Sequence, residues 1–315
     1  MESVSTQSGE TLLVRRLREV IPPTVRQYLG DRRLWIAPPI GLLLALTIFP
    51  FLFMVYLSFH FYSLSIASQR SWAGLSNYQT ILASSDFLNA LTLTGTFVVT
   101  AVSIQLVFGL GIALFLHHRI PDRWSSLFQT MFLLPMMTAY ITVGLLWRYM
   151  FNGSIGLVNY VFSQIGLPTQ GWTGDPVTAL ATVIVADVWQ WTPFVVLIVL
   201  AGLQGLPDSY YEVARMAGAS RWQRFRYVTF PLIKPMLFVA LIFRVADSYR
   251  IFDKVFIMTQ GGPSNSSMVL SVFIYIQSFR NGSLGLGATA SIVMLAIITV
   301  VALVLIRQAR RTGVI

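Results

Sequence analysis

The stretch from Asp208 to Pro235, DSYYEVARMAGASRWQRFRYVTFPLIKP, decides how this chain is organised, because it is a polar, arginine-rich segment between two strongly apolar runs. A membrane protein needs only a few residues to join two spanning helices. Ser209 and Glu212 have the S-x-x-E spacing of a capping box, and Gly218 stands where a left-handed residue would close a helix. The segment therefore predicts a bounded helix whose surface another protein recognises.

Composition assigns the chain to the membrane. Of its 315 residues, 55% are hydrophobic and only 11% are charged, whereas about 25% are charged in ordinary soluble domains. The net charge of +10 does not indicate nucleic-acid binding, because the basic residues stand at the ends of apolar runs. There are no cysteines and only three histidines, so disulfides, thiol catalysis and a metal site are not expected.

Charge-poor intervals predict an all-α, polytopic protein with six transmembrane helices. The spans are expected near 35–58, 90–116, 125–149, 177–203, 231–254 and 286–306. Two further uncharged intervals, 149–174 and 255–279, contain many turn-forming residues, whose backbone would leave unpaired polar groups in lipid. The outer loops are therefore predicted at 59–88, 150–176 and 255–285, with a short interfacial helix near Met268 to Phe279.

The distribution of lysine and arginine predicts the orientation. Sixteen of the 22 lie in the N-terminal segment, in the second and fourth loops, or after the last span. By the positive-inside rule, both termini and the loop 204–230 should face the cytoplasm. The expected organisation is a basic cytoplasmic segment at 1–34, a six-helix transmembrane domain at 35–306 and a cytoplasmic tail at 307–315.

The segment that opens this section resembles the EAA loop of ABC importer permeases. That pattern has E-A-A, three residues, G, nine residues and then I-x-L-P, and its spacing is met by Glu212, Val213, Ala214, Gly218 and the run 228–231, VTFP. In that family the loop forms a coupling helix seated in the ATP-binding subunit. The resemblance implies that the ATPase-coupling positions are Glu212, Ala214, Arg215, Gly218, Ala219 and Arg221. It also implies that 35–306 is a permease domain in a bacterial or archaeal inner membrane.

A second stretch, 243–263 (FRVADSYRIFDKVFIMTQGGP), resembles sugar-importer permeases of the maltose, trehalose and glycerol-phosphate type, in particular the partner that carries the GGP loop. In this chain that outer loop is Gly261, Gly262 and Pro263. The resemblance implies a second homologous permease subunit, two ATP-binding subunits and an extracytoplasmic solute-binding protein. It favours a disaccharide such as trehalose or maltose as the cargo, and leaves a polyol or a glycerol phosphate open.

The energy source is expected on a partner. No G-x-x-x-x-G-K-[ST] sequence occurs, so this chain should hold no cofactor and should not hydrolyse ATP itself. ATP and Mg would bind to the partner subunits. Alternating access would follow when the ATPase dimer closes and moves the coupling helices. A secondary transporter or channel, or a membrane scaffold, are the other classes considered, but no repeat with matching broken helices is evident.

The predicted fifth span carries unusual charges. Arg244, Asp247, Arg250 and Asp253 recur every three residues with alternating sign, so neighbours could pair along one side of a helix. An unpaired charge at the centre of a span costs about 2.5 to 3.5 kcal/mol, which makes pairing or a wet cavity necessary. The four residues are expected to form structural ion pairs; the alternative, that they line the solute path, stays open.

Solute contacts are expected in the fourth span. Sugar sites combine aromatic faces with amide or carboxylate groups, and Asp187, Trp189, Gln190 and Trp191 supply these types. Asp187 is the strongest single candidate, because it stands alone as a charge within its span. Asp247 and Arg250 complete the predicted substrate path, although packing is the more ordinary role for each tryptophan.

Overall fold

The computed structural model of the chain describes residues 32–64, 70–119, 122–311 and 313. Two compact units occur, one ending at Tyr56 and the other beginning at Leu57. The predicted N-terminal segment, 1–34, lies outside the described residues except at its last three positions, where the first helix begins.

Helices make up most of the described structure, beside a two-stranded antiparallel pairing and an isolated β-bridge between Ser63 and Ser283. In chain order the elements are α1 (Arg32–Ser58), β1 (His60–Phe61), β2 (Ser71–Trp72), α2 (Ser76–Ala83), α3 (Ser85–Arg119), α4 (Asp122–Met137), α5 (Tyr140–Met150), α6 (Leu157–Gln164), α7 (Ala179–Gln204), α8 (Asp208–Met216), α9 (Arg221–Arg224), a π-helical turn (Phe225–Thr229), α10 (Phe230–Ser248), α11 (Asp253–Met258), α12 (Leu270–Tyr275), a second π-helical turn (Ile276–Arg280) and α13 (Leu284–Arg311).

Five helices in the described ranges are long and apolar enough to cross a membrane: Ile36–Ser58, Ser85–His118, Ala179–Gln204, Arg221–Ser248 and Leu284–Arg311. A sixth span results when the end of α4 and the whole of α5 are taken together, although their axes meet at 93°. The predicted all-α class is confirmed, with five apolar spans, or six when the bent pair is counted as one. The third span, predicted as one run at 125–149, is broken between Met137 and Tyr140.

The bend in the third span has a local cause. Pro135 has no amide hydrogen to donate within α4, and Ala139 adopts extended backbone, with ψ of 139°, before α5 begins. The carbonyl of Thr138 at the break accepts a hydrogen bond from the buried amide of Gln190, with Nε2 and the oxygen 2.9 Å apart. A neighbouring span therefore stabilises the break, which charge-free intervals alone do not reveal.

The fifth span also differs from its prediction at 231–254. It begins at Arg221 and ends at Ser248, where a turn closes with the Arg250 amide donating to the Asp247 carbonyl at 3.0 Å. The chain then restarts as α11, which packs against α5. Charged side chains account for the end of the helix at Ser248. The turn leaves the Arg250 side chain 69% exposed and lets Lys254 point into the protein, where it pairs with Asp187.

The core of the larger unit lies where α3 and α7 run side by side. Gly109 of α3 permits the close approach, since a Cβ there would stand 2.6 Å from Val195 of α7. Small residues at such contacts are the usual means by which spanning helices approach each other. Helix α10 packs on both of these helices, so the fourth and fifth spans share one buried face.

The predicted outer loops contain short elements of their own. The strands β1 and β2 and helix α2 occupy 59–88, and α6 lies within 150–176. The short helix predicted near Met268 to Phe279 is confirmed as α12 and the π-helical turn that continues it. Its interfacial position stays a prediction.

Candidate functional site

A buried charge cluster connects the fourth span to the fifth. The Asp187 carboxylate of α7 accepts from Arg244 Nη2 of α10 at 2.9 Å and pairs through its other oxygen with the Lys254 ammonium of α11. Gln105 of α3 donates to the same carboxylate at 2.9 Å. All four side chains are buried, so four helices converge on Asp187. Burial lowers the pKa of the Lys254 ammonium, and the Asp187 carboxylate opposes that shift.

Arg244 is the centre of this cluster. Its Nε donates to Gln105 Oε1 at 2.9 Å, its Nη1 to Asp247 at 2.7 Å, and its Nη2 also to the Ser248 hydroxyl at 3.0 Å. The guanidinium carbon lies 4.7 Å from the centre of the Trp191 ring. The carboxylates of Asp187 and Asp247 thus meet the cations of Arg244 and Lys254. The opposite charges are equal in number, as buried charges require.

The predicted ladder of four charges forms only in part. Arg244 pairs with Asp247, and Arg250 reaches the other Asp247 oxygen at 3.6 Å. Asp253 makes no ion pair with any described residue, because the helix has ended and α11 begins at Asp253 itself. The expectation that all four continue along one helix face is therefore wrong, and the main partner of Arg244 is Asp187 on another span.

A cavity of about 310 Å³ lies beside the cluster. Four of the predicted path residues line it: Asp187, Trp191, Asp247 and Arg250. Tyr140 adds a second aromatic wall, with its ring stacked on Trp191 at a centroid distance of 6.1 Å. The cavity combines aromatic faces with charged groups of both signs, the types that hold a polar ring compound.

Two predicted path residues do not line this cavity. Gln190 is buried and supports the break after α4 through the Thr138 carbonyl. Trp189 stands edge-on to Trp147 with ring centres 6.0 Å apart. Residues on one helix that follow each other directly point about 100° apart, so Trp189 and Gln190 face other neighbours, whereas Asp187 and Trp191, four residues apart, share the cavity.

Helix α8 carries three of the predicted coupling positions, Glu212, Ala214 and Arg215, and none of its nine residues is buried. It ends in a Schellman motif: Gly218 has φ of +74°, its amide donates to the Arg215 carbonyl at 3.0 Å, and the Ala219 amide donates to the Ala214 carbonyl at 3.0 Å. The structure thus bears out Gly218 as the left-handed residue that closes the helix. Glu212 lies on α8, and Arg221 begins α9 across the turn.

The predicted capping box at Ser209 is wrong. Pro207 occupies the N-cap position of α8, with no side-chain hydrogen bond. A capping box forms instead one helix later, where Ser220 Oγ accepts from the Gln223 amide at 3.3 Å and Gln223 Oε1 accepts from the Ser220 amide at 2.7 Å. Ser220 and Gln223 also have the S-x-x-[EQ] spacing of a capping box. The spacing therefore predicts a capping box in this segment, but it forms at α9 and not at α8.

The GGP loop is a compact, internally bonded turn. Gly261 has φ of +83°, and the Gly262 amide donates to the Thr259 carbonyl at 2.9 Å. The hydroxyl of Ser267 contacts both the Thr259 hydroxyl and the Gly262 carbonyl at 2.7 Å. The loop is joined to α3 through the Asn89 amide, which donates to the Asn265 carbonyl at 3.0 Å.

The residues at the cluster and cavity that were not predicted from the sequence include Gln105, Tyr140 and Lys254. Gln105 had a detectable signal, because an amide in the middle of an apolar span needs a partner. Lys254 was counted only as a charge near the end of a span. Tyr140 carried no sequence signal, since its position follows from the bend in the third span.

Comparison with known proteins agrees with this architecture. The stretch 105–313 matches the family described as binding-protein-dependent transport system inner membrane component. The chain belongs to this family. It is thus a multi-pass membrane component of a transport system and not itself an enzyme, and the secondary transporter, channel and scaffold alternatives are set aside.

Two relatives in this transport family match over nearly the whole chain. The trehalose/maltose transport system permease protein MalF of Thermococcus litoralis is 32% identical over 277 residues, covering 88% of this chain and 92% of that relative. The trehalose transport system permease protein SugA of Mycobacterium tuberculosis is 31% identical over 282 residues, covering 89% of each.

A solved structure supports the fold of this permease. A bacterial ABC transporter involved in the import of the acidic polysaccharide alginate has a chain that matches with a TM-score of 0.77, over 91% of this chain and 99% of that one. At 23% identity, this likeness bears on the fold alone.

Proposed function

We propose that this permease imports a carbohydrate and is driven through α8 by a separate ATP-binding subunit. The observation that carries the proposal is α8 itself, a helix with no buried residue, closed by a Schellman motif and set between the fourth and fifth spans. A short helix with no fully buried residue gains little stability from its own chain, which suits a helix that a partner surface covers. Glu212, Ala214, Arg215, Gly218, Ala219 and Arg221 would form the contact.

The cargo we propose is a disaccharide such as trehalose or maltose, delivered by an extracytoplasmic solute-binding protein. The names of the two relatives support this cargo. So does the cavity, whose volume of about 310 Å³ stands at the lower end of ligand pockets. Trp191 lines it, and its indole nitrogen is buried without a hydrogen-bond partner among the described residues, which leaves a donor for a hydroxyl oxygen.

The complete transporter would include a second permease subunit and two ATP-binding subunits in an inner membrane. Each permease would supply part of the solute path. The buried cluster around Asp187 would keep the fourth and fifth spans together, so that movement of α8 reaches the cavity through α10. Both termini and α8 would face the cytoplasm.

One observation favours a second candidate cargo, a glycerol phosphate. Arg250 lines the cavity with its side chain 69% exposed, and its only ion pair among the described residues is the 3.6 Å contact with Asp247. An arginine in that position could bind a phosphate group. A neutral polyol, the third possibility from the sequence, gains no particular support from this residue.

The coupling role is tested with Glu212→Ala combined with Gly218→Arg in the assembled transporter. Arginine at a left-handed position costs about 1 to 2 kcal/mol, so we expect solute-stimulated ATP hydrolysis to fall about tenfold. The matched control is Gly166→Arg, because Gly166 also has φ of +74° with open space around it, and lies in a predicted outer loop. If the double variant assembles and hydrolyses ATP like the unaltered protein, the coupling proposal is wrong.

The cargo is tested by purifying the transporter together with its solute-binding protein. Calorimetric titration of that binding protein with trehalose, maltose, glycerol and glycerol phosphate should give binding to a disaccharide. Proteoliposomes containing this chain and its partners should then take up the same sugar when ATP is supplied. Binding and uptake of glycerol phosphate alone would support the second candidate instead.

A further inference from the structure

A second cavity lies at the other end of the fifth span, next to α8. Its volume is about 360 Å³. It stands between the end of α3, the coupling helix and the π-helical turn. The residues that line it are Leu114, His118, Tyr211, Arg221, Arg224, Phe225 and Thr229.

The charged groups of this cavity are all basic or potentially basic. Arg221 and Arg224 form no ion pair with a described residue, and no described acidic side chain lines the cavity. The Arg224 Nε atom is buried and has no hydrogen-bond partner among the described residues. An unpaired guanidinium donor is costly to bury, so the arrangement calls for an anion with several acceptor oxygens.

The position of the cavity along the spans indicates the source of such an anion. The second span ends at His118 and the fifth begins at Arg221, so the cavity stands at the ends of two apolar helices. Trp222 and Tyr227, which are 69% and 75% exposed, lie on the same stretch of chain. Aromatic and basic residues together mark the layer where lipid headgroups meet the hydrocarbon. The apolar side chains of Leu114 and Phe225 would suit the upper part of an acyl chain.

We propose that this cavity binds the phosphate of an anionic phospholipid headgroup. Arg221 and Arg224 would donate to the phosphate oxygens, and Leu114 and Phe225 would contact the lipid above them. Tyr211 belongs to α8, and its hydroxyl lies 3.1 Å from the Thr229 hydroxyl of the π-helical turn. A bound headgroup would therefore contact the coupling helix and the base of the fifth span together. This site goes beyond the proposed function, since transport through the solute cavity does not require it.

The test measures how much phosphatidylglycerol stays bound to the assembled transporter, by native mass spectrometry of protein released from mixed micelles. The variant is Arg221→Gln with Arg224→Gln. The control, Arg307→Gln with Arg310→Gln, removes the same charge from two exposed arginines at the end of α13. We expect the first pair to weaken binding roughly thirtyfold, because it removes the guanidinium groups that would hold the phosphate, and the control pair to leave most of it. Arg221 also belongs to the proposed contact with the ATP-binding subunit, so Arg224→Gln alone is measured beside the pair. Size-exclusion elution of all variants, and recovery of the partner subunits with Arg224→Gln, establish that the proteins fold.

Three results would overturn the proposal. Equal loss in both pairs would mean that lipid responds only to general surface charge. Displacement of phosphatidylglycerol by an equal concentration of inorganic phosphate would assign the cavity to a free anion. A carbodiimide-activated crosslink from a carboxylate of the ATP-binding subunit to a lysine placed by Arg224→Lys, undiminished by added phosphatidylglycerol, would assign it to a protein partner. Selective loss in the first pair without either of the last two results supports the lipid site.

Discussion

Asp187 has buried partners that its isolation in the sequence does not suggest. A single carboxylate in an apolar span seemed to need a ligand, yet the protein itself supplies two cations and an amide. Its partners Arg244 and Lys254 lie 57 and 67 positions away in the chain, so spacing rules could not pair them. The i,i+3 pair between Arg244 and Asp247 was predictable because both stand on one helix.

Asp187, a buried carboxylate with two ion pairs, and Asp253, a carboxylate with none among the described residues, should respond differently to substitution. Asp187→Asn would leave the buried Lys254 without its carboxylate and Arg244 with Asp247 as its remaining partner, and breaking a buried ion pair in this way costs about 3 to 5 kcal/mol. Asp253→Asn is the control, since Asp253 has no ion pair among the described residues and lines the same cavity. The midpoint temperature of unfolding should fall sharply for the first and little for the second. Equal shifts would mean that the cluster does not stabilise the fold.

At the scale of elements, two glycines on α3 predict opposite effects. A Cβ at Gly109 would stand 2.6 Å from Val195, so Gly109→Ala should push α3 and α7 apart and cost about 1 to 3 kcal/mol. Nothing lies within 4 Å of a Cβ at Gly111, so Gly111→Ala should be neutral or should stabilise the helix by up to about 1 kcal/mol. Thermal unfolding of the two purified variants compares them. A destabilised Gly111→Ala with an unaffected Gly109→Ala would contradict the α3–α7 packing.

The helices show which parts of the fold are predictable from the sequence. The apolar spans follow from composition, because lipid excludes charge over a helix length. The bend after Met137 does not follow, since a proline and an amide from α7 produce it jointly. The end of the fifth span at Ser248 does not follow from the sequence either, because it depends on the contact of Lys254 with Asp187 on another helix. The proposed coupling positions were predicted from local spacing, whereas the cavity wall combines residues of α5, α7, α10 and α11, which contacts between distant helices bring together.

For the whole molecule, the proposed mechanism joins two sites that lie at different positions along α10. The proposed solute cavity includes Asp247 and Ser248 at the end of α10, and α8 approaches the π-helical turn that precedes its beginning. A displacement of α8 could therefore be passed along one helix, whose far end is fixed to α7 by Asp187 and Arg244. This arrangement requires α8 and the outer loops to be on opposite sides of the membrane.

The absence of native cysteine allows that orientation to be tested directly. Met216→Cys places a thiol at the end of α8, where the side chain is 82% exposed, and Ile155→Cys places one in the loop 150–176, where it is 80% exposed. Because sixteen of 22 basic residues favour a cytoplasmic α8, a membrane-impermeant maleimide should label only the Ile155→Cys protein in spheroplasts. Both proteins should react after detergent lysis, which controls for thiol reactivity. Labelling of Met216→Cys alone in intact spheroplasts would reverse the orientation and remove α8 from the side where ATP is available.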